Sequence, residues 1–247
     1  MILWHSRTLF FLASVFLVFI LQLLSLSMGL DAKVSLNVEE KGFHRNFLYH
    51  VDITDLNTEN CHVAIYLELP SALYVNVDEL AEQRRLGIVH VRHFFYTSTA
   101  CSLGETDVEL FMEKAKLQNI TVCLPFSKDG NILKVPVHQR YQYAKETGGF
   151  VRVIFPRPKL LLGCKDRIPE YRISKIDLCS PCVDAVPKWR EIPYSMDEED
   201  YVWLVPIGDS SLLTSITYVT LLITIFGAAF ITRTICKSSI REHQKED

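Results

Sequence analysis

Twenty consecutive residues, Leu212 to Ile231, carry no charge and no proline, and this run constrains the chain more than any other stretch. At about 1.5 Å rise per residue, a helix of that length crosses the ~30 Å hydrocarbon core of a bilayer. Basic residues follow it (Arg233, Lys237, Arg241, Lys245), and acids precede it (the run Asp197 to Asp200, then Asp209). A buried helix of a soluble domain is seldom so long and would give no reason for that asymmetry. The positive-inside rule then assigns a transmembrane helix at 210–232, a cytosolic tail at 233–247, and everything earlier to the far side of the membrane.

The span has two faces. Ser210, Thr214, Thr217, Thr220, Thr224, Gly227 and Ala228 fall within an arc of about 140° at helical spacing, opposite a face of Leu, Val, Phe and Ile. Small and hydroxylated residues let another membrane helix approach closely, so this stripe is expected to be a partner-facing surface. The competing account is that each threonine bonds back to its own preceding turn.

Residues 1–29 read as a secretory signal peptide. Arg7 and His5 precede an apolar run, Leu9 to Leu24, and the small residues of Ser25 to Gly29 offer cleavage after Ser27 or Gly29. If uncut, the same run would serve as a signal anchor and still leave the middle of the chain outside the cytosol. Six of the seven cysteines, Cys61, Cys101, Cys123, Cys164, Cys179 and Cys182, then lie in an oxidising compartment, while Cys236 falls just inside the cytosolic face, where it could be acylated. Six thiols allow three disulfides but about fifteen pairings, and spacing does not choose among them. Asn119-Ile120-Thr121 is a glycosylation sequon on the same side.

Between signal and span, residues 30–209 are expected to form a mainly β, antiparallel, sandwich-like lumenal domain with short helical turns. Period-two alternation marks strands at Val34–Val38, Phe43–Ile53 and Cys61–Leu69, and shorter β-rich runs follow at Val89–Tyr96, Asp107–Glu113, Asn119–Leu124 and Val151–Phe155. Asp78 to Gly87 has the acid-first, base-last order of a short helix. Prolines 169, 181, 187 and 193 break up the stretch from Cys164 to Asp200, so an irregular, cysteine-tied segment is expected there. Tyr201 to Pro206 reads as a last strand that brings Trp203 close to the membrane interface.

Chemistry is sparse. A net charge of −3 gives no reason to expect nucleic acid. Cys179-Ser180-Pro181-Cys182 has thiol-oxidoreductase spacing, but no strand-turn-helix frame surrounds it, and structural disulfides are the preferred reading. His44 with His50, or His90 with His93, match no recognised metal spacing, and the acidic run reads as a solvated face. No catalytic residue, cofactor or metal is therefore expected. The chain reads as a membrane protein whose work is contact, with a cell-surface receptor or adhesion protein bearing a β-sandwich ectodomain as the alternative.

Several phrases resemble the PIG-X family: Gly42-Phe43-His44-Arg45, Leu69 to Val75 with Asp78-Glu79-Leu80, Val135 to Tyr141, Leu160-Leu161-Leu162-Gly163-Cys164, Val205-Pro206-Ile207-Gly208, and Thr220 to Thr224 within the span. They run in the same order from about Glu40 to Ile225 and cover most of the mature chain. That resemblance implies a single-pass protein of the endoplasmic reticulum membrane that binds and stabilises PIG-M, the multispanning catalytic subunit of glycosylphosphatidylinositol (GPI) mannosyltransferase I. It implies a non-catalytic accessory role in adding the first mannose to the GPI-anchor precursor from dolichol-phosphate-mannose.

Overall fold

Alternating side chains in the sequence become two facing antiparallel sheets in the structure, a computed structural model that describes residues 30–56, 59–85, 99–168, 170–197 and 200–246. Strands β1 (Ala32–Glu39), β2 (His44–Ile53), β4 (Leu73–Tyr74) and β7 (Asn131–Gln139) make one sheet, in the order β1-β2-β7-β4. The other holds β3 (Cys61–Leu69), β5 (Thr99–Gly104), β6 (Gln118–Pro125), β9 (Lys159–Cys164) and β10 (Trp189–Glu191), in the order β10-β9-β3-β6-β5. A separate two-stranded ribbon pairs β8 (Gly149–Ile154) with β11 (Val202–Ile207). Helix α1 (Val77–Arg85) and the single turn α2 (Cys182–Ala185) are short, as expected of a mainly β domain.

The core lies between the sheets. Phe47, Tyr49 and Val51 of β2 and Leu133, Val135 and Val137 of β7 meet Val63, Ile65 and Leu67 of β3 and Leu160 and Leu162 of β9, all essentially without solvent contact. A second apolar layer covers the outer face of the five-stranded sheet, where Ala64, Tyr66, Cys101, Cys123 and Leu161 meet Cys182, Val186 and Trp189. Both faces of β3 and β9 are thus buried, which is why Leu160-Leu161-Leu162 lacks alternation. Gly163 is required in that layer, because a Cβ there would lie 2.2 Å from Val186 Cγ2.

Three disulfides tie the second sheet and its cover. Cys61–Cys164 joins directly opposed residues of β3 and β9, while Cys101–Cys179 and Cys123–Cys182 fasten the irregular segment to β5 and β6. The two halves of the Cys-x-x-Cys motif therefore hold different strands rather than each other, which leaves no vicinal dithiol pair and favours the structural reading.

Some sequence expectations need correction. Asp107–Glu113 is a series of turns, not a strand. Its carbonyls at Asp107 and Leu110 accept from the buried Arg140 guanidinium at 2.5 and 3.2 Å, and the Met112 N–H donates to Tyr141 O, so no ladder is left to form. Trp203, expected close to the membrane interface, does not present its ring outward. It sits fully buried on the inner side of β11, 6.0 Å from the Phe47 ring, with its indole N–H donating to Gln139 Oε1 at 3.0 Å. The strand expected at Val89–Tyr96 and the signal peptide lie outside the described residues. Strand β7 was not among the expected strands, and Pro136 lies within it. Only His138 and Gln139 pair with β4, so β7 is an edge strand at Pro136, where a missing N–H is tolerated.

Candidate partner-binding surfaces

The span begins at a joint rather than a linker. Ile207 ends β11, Lys145 and Asp209 form a parallel bridge, and Ser210 N–H donates to Lys145 O at 2.8 Å. Asp209 Oδ1 then accepts from the Ser211 N–H and hydroxyl at 2.8 and 2.6 Å, starting a turn of 3₁₀ helix (Ser210–Leu212) that runs into helix α3 (Leu213–Glu246). Residues Ser210–Lys237 form an apolar helix long enough to cross a bilayer, and none of it is buried against the rest of the chain. The helix does not stop at 232. Its backbone continues through the segment expected to be a tail, with Cys236 a free, exposed thiol.

On this helix the structure places Thr217, Thr220 and Thr224 with their hydroxyls donating to the carbonyls of Leu213, Ile216 and Thr220 at 2.7, 2.7 and 2.8 Å. The donors are thus used within the helix. What the stripe Ser210, Thr214, Thr217, Thr220, Thr224, Gly227 and Ala228 offers a neighbour is a low profile and acceptor lone pairs. A Cβ on Gly227 would meet nothing.

Two exposed apolar features lead away from the joint, and neither was anticipated from sequence. Inward Trp203, Val205 and Val153 alternate along the ribbon with outward Leu204 (52% exposed), Phe150 (68%) and Ile154 (63%). From Lys145 the chain runs back through Tyr143 and Tyr141, whose rings join Phe111 and Phe43 in an exposed aromatic ladder with centroid spacings of 5.0 to 6.5 Å. Arg140 lies under this ladder; burial lowers its pKa, opposed by Glu105, Tyr74 and Asp107. The hint in the sequence was a ribbon apolar on both faces, a pattern that alternation rules treat as noise.

Other candidate residues fall in separate places. Asn119 is half-buried on β6, opposite Glu68 and Leu103, while Ile120 and Thr121 of the sequon are buried. His44 and His50 share β2 but stand six residues apart, about 20 Å along a strand, too far to share an ion. His90 and His93 lie outside the described residues. Asp197 pairs with Lys33 at 2.5 Å and Asp200 with Arg157 at 2.7 Å, so the two ends of the acidic run tie the last loop to other parts of the body. An open cleft of about 790 Å³ is lined by Lys165, Arg167, Lys188 and Arg190 together with Asp166 and Glu170.

Comparison with known proteins bears on this arrangement directly. The family described as PIG-X / PBN1 matches residues 40–236. The chain belongs to the PIG-X family. A human relative, "GPI alpha-1,4-mannosyltransferase I, stabilizing subunit", is 27% identical over 205 residues, covering 78% of this chain and 76% of its own length. No solved structure matches. The PIG-X match takes in every strand except β1, together with the ribbon, the joint and the apolar part of α3 up to residue 236, so the stripe, the ribbon face and the aromatic ladder lie within the family region.

Proposed function

We propose that this chain is the stabilising, non-catalytic subunit of GPI mannosyltransferase I, single-pass in the endoplasmic reticulum membrane with residues 30–209 in the lumen. It would hold the multispanning catalytic subunit PIG-M, which adds the first mannose to the GPI-anchor precursor from dolichol-phosphate-mannose. The observation that carries this reading is the 27% identity to a stabilising subunit across 78% of the chain. The geometry supplies a means. An unburied span with a low-profile stripe can pack closely on a catalytic subunit's helices, where apolar burial gives no drive and close approach does. Just above it, the outer face of the ribbon offers Phe150, Leu204 and Ile154 to lumenal loops, and the tyrosines near Lys145 suit the headgroup layer. A ligand that binds only the folded partner shifts that partner's folding equilibrium, which is what stabilisation means here.

Depleting the chain should lower the amount of PIG-M together with surface GPI-anchored proteins, with restoration by wild type. Replacing Thr217, Thr220 and Thr224 with Leu, combined with Phe150→Glu and Leu204→Glu, should restore neither and should abolish co-purification in mild detergent. A normal level of PIG-M with lost activity would instead assign this chain a part in the reaction.

Orientation has its own test. In a lumenal chain the Asn119 sequon meets oligosaccharyltransferase before β6 pairs and buries Thr121. Expressed in cells, the wild type is expected to shift on endoglycosidase treatment by one glycan and Asn119→Gln not to shift. A wild-type band insensitive to the enzyme would count against the lumenal placement of β6.

A further inference from the structure

From the register of the first sheet we infer a divalent-cation site, best suited to Zn²⁺, formed by His44, His138 and Glu79. His44 and His138 are directly opposed on β2 and β7, and their rings meet edge-on with centroids 4.3 Å apart. Glu79 reaches the same point from the first turn of α1, where the Asn76 side-chain oxygen accepts from the N–H groups of Asp78 and Glu79 and fixes the helix start. His138 Nε2 lies 2.9 Å from Glu79 Oε2 and 3.1 Å from His44 Nδ1, and all three ligand atoms fall within 4.8 Å of one another.

Proton bookkeeping favours a cation at this point. His44 Nε2 is 3.4 Å from Glu40 Oε2, and the tautomer that keeps the ring proton there leaves Nδ1 with a lone pair toward His138, whose two ring nitrogens lie 3.1 and 3.3 Å away. His138 Nε2 then has one proton to set between a carboxylate oxygen and that lone pair. A metal ion with bonds of about 2.0–2.1 Å would need ligand spacings of about 3.3 Å at a tetrahedral edge, which exceeds the two spacings to His138 Nε2 by only a few tenths, while the third, from His44 to Glu79, lies within 4.8 Å. Two imidazoles and a carboxylate match zinc's preferences and leave a fourth position for water. Glu40 is then the outer carboxylate that orients an imidazole ligand.

The surroundings hold the ligands in place. Tyr74 of β4 stacks on the His138 ring at 5.1 Å, and on Tyr74 in turn lies Arg140, its charge tied to the Asp107 and Leu110 carbonyls. The three ligand side chains are 22–32% exposed, open enough for an ion to enter. An ion here fastens α1 to the end of the central β2–β7 pair of the four-stranded sheet.

The test uses the full chain without a histidine tag, purified in detergent, stripped with chelator and titrated with Zn²⁺ and with Co²⁺ as a spectroscopic probe. One equivalent should bind, Co²⁺ should show the intense visible absorption of a four-coordinate site, and Zn²⁺ should raise the thermal midpoint. His44→Ala and His138→Ala should each abolish the Co²⁺ spectrum, His50→Ala should leave it unchanged, and Glu40→Gln should weaken binding about 10–100-fold. Glu79→Gln alters one atom on a helix surface and keeps the test decisive if losing an imidazole unfolds the sheet; it should weaken Zn²⁺ binding by about tenfold or more. No stoichiometric uptake by the wild type, or the same affinity in Glu79→Gln or in the double variant H44A/H138A, would overturn the site.

Discussion

Trp203→Ala is expected to cost the β body about 3–5 kcal/mol, the range for removing a large aromatic from a packed core. The position earns that range because Trp203 is fully buried, lies near Phe47, carries the Arg45 guanidinium 4.2 Å over its ring and satisfies Gln139 through its indole N–H. Against a total of about 5–15 kcal/mol for an ordinary domain, such a loss leaves a large unfolded fraction. Trp203→Phe keeps most of the ring but orphans Gln139 Oε1, and should cost roughly 1–3 kcal/mol. Denaturant unfolding of the detergent-solubilised chain, followed by proteolytic susceptibility, measures both; equal stability of Trp203→Ala and wild type would contradict the inward placement of β11.

Breaking Cys123–Cys182 by double replacement with serine should cost about 2–5 kcal/mol. Chain entropy is one part, since the bond closes a separation of 59 residues. Position is the other, because Cys182 is fully buried, its carbonyl accepts the Trp189 indole N–H, and Val186 and Trp189 cover Leu161 and Gly163 only while that loop stays down. Replacing Cys61 and Cys164 forfeits slightly more chain entropy, the separation being 103 residues, but frees no covering loop because the β3–β9 ladder still pairs those residues, and the lost cover is expected to make Cys123–Cys182 the costlier loss. The ordering of the two double variants under the same denaturant series is the check, and mapping of non-reduced peptides should recover the three pairs.

Much of the fold was legible where polar and apolar residues alternate or a helix start is marked. Cys61–Leu69 coincides with β3, the acid-first helix after Asn76 is α1, and β11 follows Tyr201. Strands whose residues do not alternate or that a proline crosses were not: Leu160-Leu161-Leu162 has no period, and Pro136 argues against a strand until its pairing is known. Asp107–Glu113 misled because a β-like composition says nothing about a buried arginine 30 residues away that takes its carbonyls. The cysteine pairing depended on which strands are neighbours. His44 and His138 likewise have no relation in sequence, being 94 residues apart, and only the β2–β7 register brings them together. The membrane stripe was visible at helical spacing, but which carbonyls its hydroxyls engage was not.

The Lys145–Asp209 joint has a mechanical meaning. With no slack between bridge and helix, turning α3 about its axis turns the β body by the same angle, and the two cannot seek their contacts independently. A single residue inserted after Leu213 would turn the threonine stripe of α3 about 100° relative to the outer face of the ribbon while changing neither. For the companion proposed above, affinity would therefore be set by phase, as two teeth on one key are.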